Sequence, residues 1–131
     1  MDYLAVIVTA AVGFAIGALW YGIFARPWVA ASGVPTDEKG APRDGANPVT
    51  WAGAYLCILL VAGMMRHVFN MSAVVSVNDG VVAGLGIGLF FIAPWVALNI
   101  LFAQRPKVLI LIDGGYAAIA CAIMGGVLML F

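Results

Sequence analysis

A chain of 131 residues that is 65% hydrophobic and 9% charged cannot give water a polar coat. Soluble domains carry about 25% charged side chains, so the natural solvent of this one is a lipid bilayer. Six Lys+Arg balance six Asp+Glu, which leaves no global charge to draw nucleic acid or an acidic partner.

A membrane span needs about 20 mostly apolar residues. The first such run covers about residues 3–25 and is stopped by Arg26 and Pro27. Its leading Met1-Asp2-Tyr3 is acidic rather than basic, and the run is too long for a signal h-region, so it reads as a retained span. Residues 26–48, RPWVAASGVPTDEKGAPRDGANP, hold four of the six prolines and five charged side chains besides Arg26, the composition of a polar surface loop. Trp28 and Val29 at its start suit the headgroup region. The second span covers about 49–69, from Pro48 to the neighbourhood of Arg66, His67 and Asn70. The third covers about 77–103. Asp79 reads as its N-cap or second residue, where a negative charge suits the helix dipole. Pro94 predicts a kink that frees the Phe90 carbonyl. Gln104-Arg105-Pro106 is a tight turn, with Pro106 suited to open a helix. The fourth span covers about 107–131 and is the antiparallel neighbour of the third. The fold class is all-α: a single domain, residues 1–131, forming a four-helix transmembrane bundle with a polar cytoplasmic loop between helices 1 and 2.

Orientation follows from Lys and Arg. Arg26, Lys39, Arg43, Arg105 and Lys107 lie on one side and Arg66 alone on the other. Five against one places the 26–48 loop and the 104–107 turn in the cytoplasm. Both termini then face out, into the periplasm if the membrane is a bacterial inner membrane.

Lipid gives helices no hydrophobic reason to associate, so close approach through small residues supplies much of the drive. Three sets stand at helical spacing: Gly13 and Gly17; Gly80, Gly84 and Gly88; and Gly114, Ala118, Ala122 and Gly126. They serve either bundle packing within the chain or the seam of a homo-oligomer. The tight turn joins spans three and four, so their ridges are expected to meet. Gly13/Gly17 is then the spare surface for a second copy.

The first span closes GALWYGIFARPW, the third closes NILFAQRPKVLILIDGGY, and CAIMGGVLMLF follows in the fourth. In that order and spacing the chain resembles DUF1761, a bacterial family of small four-span membrane proteins of unknown function. The resemblance rests on Gly17-Ala18-Leu19-Trp20-Tyr21, on Asn99 and Phe102 before a basic turn, and on Asp113-Gly114-Gly115-Tyr116. Ala103-Gln104 stands where the family carries an acidic residue. The resemblance implies a fold and a membrane location, and no activity.

Asp113 is the sharpest chemical feature. A charged residue at the bilayer centre costs about 2.5–3.5 kcal/mol on insertion scales. Counted from Pro106 at 1.5 Å per residue, Asp113 lies roughly 10 Å into the membrane and needs a partner. Asn99, Tyr116, Trp20, Tyr21 and Trp51 all fall in the same third and could meet it in one polar cluster. Three readings stand open. Asp113 is glue for the bundle, or the N-cap of a helix broken at Gly114-Gly115, or a switchable carboxylate in a transport pathway. Arg66 and His67 lie roughly 15 Å away in depth, too far to relay protons, and Arg66 is expected to snorkel to the outer headgroups. Cys57 and Cys121 read as packing thiols. No second His, Cys or carboxylate stands at ligand spacing, so neither a metal nor another cofactor is expected. No nucleophile–base pair is visible.

The expected function is that of a small non-catalytic membrane protein, a structural or accessory subunit acting through helix packing. Its expected partners are the lipid bilayer and either further copies of itself or a larger membrane complex. The alternative is a small oligomeric transporter or channel with a polar cavity centred on Asp113.

Overall fold

A computed structural model describes residues 3–131. The chain is all-α, with no strand among the described residues beyond one isolated bridge, Thr36 to Pro42. Its elements are α1 (Tyr3–Ile23), α2 (Ala25–Ser32), α3 (Pro48–Asn70), α4 (Val77–Ile87), a π-helical turn (Gly88–Ile92), α5 (Ala93–Phe102) and α6 (Val108–Leu128). Among the described residues, four helical segments are long and apolar enough to cross a membrane: α1, α3, the continuous stretch Val77–Phe102, and α6.

The helix ends follow local chemistry. Asn47 caps α3, its side chain accepting from the Val49 amide, and Pro48 opens the first turn, where its missing N–H costs nothing. Ser76 caps α4. Asp79 is the third helical residue and reaches back to the Ser76 amide, completing a capping box. Asp79 is therefore neither the cap nor the second residue. The 26–48 segment also departs from the sequence reading. Its first seven residues are helical, because Pro27 falls in the first turn of α2, where proline is tolerated. Gly33, in the left-handed region at φ 70°, ends that helix.

Pro94 acts through a π turn. The Ala93 amide donates to the Gly88 carbonyl five residues back, so the widened turn takes up the disruption just ahead of the proline.

α6 is the central helix. Eleven of its 21 residues are buried, against three of the 23 in α3. One side of α6 lies on span three through a seam of close backbones. A Cβ at Gly80, Gly84 or Gly88 would run into the Gly125, Cys121 or Ala117 carbonyl respectively. Spans three and four do meet through small residues, but on α6 the seam is centred on Ala117, Cys121 and Gly125, one position before the expected row. Gly114 and Gly126 flank it, against Ala93 and Val81. Ala118 lies beside Gly88, and Ala122 is half-exposed.

The other side of α6 packs on α1, where the sequence predicts a surface left for a second copy. Gly13 and Gly17 are not a spare surface. A Cβ at Gly13 would lie 2.5 Å from Met124 Sδ and 3.0 Å from Ile58 Cγ2, and one at Gly17 would lie 2.8 Å from the Tyr116 hydroxyl. The bulky partners that fill these gaps come from other helices of the same chain. α3 leans on α1, and an apolar groove lined by Val61, Met65, Ile87 and Ile92 among others lies between it and span three.

Candidate functional site

α1 and α6 run antiparallel, so the C-terminal part of α1 meets the N-terminal part of α6 near the 26–48 loop. Three side chains cross between them. The Tyr21 hydroxyl donates to Asp113 Oδ1 at 2.6 Å. The Trp20 indole Nε1 donates to the Ile112 carbonyl at 2.8 Å. The Tyr116 hydroxyl returns to the Gly13 carbonyl at 2.8 Å. The Tyr21 and Tyr116 rings meet edge-on, with centroids 5.5 Å apart.

This geometry accounts for the Asp-Gly-Gly-Tyr run. Gly115 has no side chain because the Trp20 indole lies across it; a Cβ there would be 2.8 Å from Trp20 Cζ2. Gly114 faces α5, with Ala93 Cβ at 3.3 Å from where its own would be. Tyr116 stands one turn beyond Asp113 on the same face. The helix runs unbroken from Val108 to Leu128, so Asp113 does not cap a broken helix.

Two expected members of the cluster are elsewhere. Asn99 is exposed and its side chain makes no hydrogen bond among the described residues. The π turn is the reason. It adds a residue to the helical repeat, which rotates everything downstream by about 100° relative to a regular helix. Trp51 is also apart from Asp113. It donates from Nε1 to the Gly45 carbonyl at 2.7 Å and packs edge-on against Phe14, centroids 5.5 Å apart. At the opposite end Arg66 does not simply snorkel outward. Its guanidinium donates to the Leu128 carbonyl at 2.9 Å, satisfying the free C-terminus of α6 with a favourable charge.

Two cavities adjoin the cluster. One, of about 560 Å³, lies between α1 and α3 under α2 and is walled by Phe14, Tyr21, Trp28, Trp51 and Tyr116 around a small-residue lining of Gly17, Ala18 and Ala54. The second, of about 230 Å³, includes Asp113 in its wall. Tyr21, Ile58 and Tyr116 belong to both. Trp28, which the sequence places only in the headgroup region, walls the larger cavity, and its ring meets Tyr21 at 5.8 Å. The signal for it was present: Phe14, Gly17, Ala18, Tyr21 and Trp28 follow three-, four- and seven-residue spacing, one helical face carried across the α1–α2 junction.

Among the described residues, four long apolar helices and a buried glycine seam suggest a small multi-pass membrane protein. Residues 4–129 match the family described as "Protein of unknown function (DUF1761)", and the chain belongs to it. No curated protein and no solved structure matches the chain.

Proposed function

We propose that this is a non-catalytic accessory protein of the bacterial inner membrane, working by helix packing beside a second copy or a larger complex. In this reading the 26–48 loop and the 104–107 turn are cytoplasmic and both termini periplasmic. The five-to-one distribution of Lys and Arg supports that orientation. The observation that carries the reading is the use of the deep polar groups. Tyr21, Trp20 and Tyr116 each spend a donor on tying α1 to α6, and Asp113 receives one of them. An acid held this way is a structural tie. α3 and span three meanwhile expose Leu56, Leu60, Met64, Phe90, Phe91 and Trp95, surface that a partner helix would cover. Mild solubilisation followed by sizing tests the proposal. A stoichiometric complex, hetero- or homomeric, supports it, and a bare monomer in native-like nanodiscs contradicts it.

One observation favours a second reading, a small transporter or channel. Asp113 lines a cavity, and its Oδ2 receives no hydrogen bond among the described residues. That reading requires pH-dependent flux in liposomes that Asp113→Asn abolishes. Flux unchanged by the substitution removes it.

A further inference from the structure

We propose that the two adjoining cavities form one binding site for a lipophilic organic monocation, with its rings among the aromatic side chains and its charge at Asp113 Oδ2. The inference uses the cavities of the second reading above but does not require transport.

A bilayer restricts what a cavity within it can bind. A lipid tail gains nothing hydrophobic by leaving lipid for an apolar pocket, because the two surroundings are equally apolar. Affinity must come from a term that lipid cannot supply. The larger cavity, about 560 Å³, is within the range of small-molecule sites. Its wall is aromatic, and ring faces carry negative electrostatic potential that attracts organic cations. The smaller cavity adds the acid.

Charge decides the sign. No Lys or Arg lines either cavity. Arg66 is engaged at Leu128, fifteen residues along α6 from Asp113, or about 22 Å. Asp113 Oδ1 is occupied by Tyr21, while Oδ2 is open to a cation. An anion finds no base here and few free donors. The Trp51 indole is committed to Gly45, the Tyr116 hydroxyl to Gly13 and the Tyr21 hydroxyl to Asp113. Tyr21 joins the two halves: its ring walls the aromatic cavity and its hydroxyl holds the carboxylate. α3 contributes Ala54 and Cys57 to the wall, both exposed, so a ligand can reach the site from lipid.

The test uses two ions of one shape and opposite charge, tetraphenylphosphonium and tetraphenylborate. Binding to the purified protein in zwitterionic nanodiscs is followed by tryptophan fluorescence and equilibrium dialysis, with protein-free discs subtracted. The phosphonium is expected to saturate at one per chain and to bind at least tenfold more tightly than the borate. Asp113→Asn is expected to weaken phosphonium binding at least tenfold while helix content stays unchanged. Ala54→Phe fills the aromatic cavity without touching a hydrogen bond, and is expected to block binding even if the Asp113 variant folds poorly. Equal binding of the two ions, full binding by Asp113→Asn in a folded protein, or full binding by Ala54→Phe would each overturn the proposal. Saturable phosphonium binding without liposome flux upholds the site and removes only transport.

Discussion

Gly84 and Gly86 provide an internal control for the seam between α4 and α6. They lie two residues apart on one helix, yet their surroundings are opposite. A Cβ at Gly84 would strike the Cys121 carbonyl and come within 3.2 Å of Gly125 Cα, whereas a Cβ at Gly86 meets nothing within 4 Å. The groups at Gly84 are backbone and cannot rotate away. Carbon–oxygen contacts rest at about 3.3 Å or more, so the two helices must part by roughly an ångström. A gap of about 0.5–1 Å forfeits a quarter to a half of each pair's dispersion energy along the seam. Overpacking of this kind costs about 1–3 kcal/mol. Replacing Gly by Ala also returns about 0.8–1 kcal/mol of helix propensity, but it does so at both positions. The difference between Gly84→Ala and Gly86→Ala is therefore the packing term, about 1–3 kcal/mol against Gly84. Unfolding in mixed micelles of increasing dodecyl sulfate content, followed by circular dichroism, measures it. Equal midpoints for the two variants would refute the seam.

Other substitutions test the α1 side and the orientation. Gly13→Leu and Gly17→Leu are expected to destabilise the single chain by about 1–3 kcal/mol, because Met124, Ile58 and Tyr116 already fill those gaps. Loss of self-association with unchanged chain stability would restore the homo-oligomer seam expected from sequence. Gly115→Ala should push the Trp20 indole off the Ile112 carbonyl, and a change in tryptophan emission reports it; an unchanged spectrum contradicts the contact. For orientation, Glu38→Cys should react with an impermeant thiol reagent only after cells are opened, and Ser72→Cys should react in intact cells. The reverse pattern would invert the topology.

Hydropathy and turn chemistry made the spans legible, because a helix in lipid must be long and apolar and must end where polar residues resume. The place of Asp113 in the second turn of the last helix was legible for the same reason: it needs only a count along one helix. Rotation about the axis was harder. Asn99 failed as a partner because the π turn at Gly88–Ile92 shifts the phase of everything after it, and a proline announces a disruption without saying which kind. The small-residue row on α6 was displaced by one because Ala117, Cys121 and Gly125 are as small as the neighbouring set, so composition alone does not choose between adjacent stripes. Tyr21 was placed near Asp113 by depth, but the bond itself depends on how α1 packs across α6. Trp28 was missed because Arg26-Pro27 read as an ending, although proline in a first turn permits a helix.

The central claim is that Asp113 is a tie between α1 and α6 through Tyr21. A double-mutant cycle of Tyr21→Phe and Asp113→Leu, read as unfolding free energy in mixed micelles, tests it most directly. Interhelical hydrogen bonds in membranes average about 0.6 kcal/mol and reach about 1.7. A bond of 2.6 Å to a carboxylate belongs in the upper part of that range, so the predicted coupling is about 1–1.7 kcal/mol. A coupling indistinguishable from zero, with both single variants folded, would contradict the account.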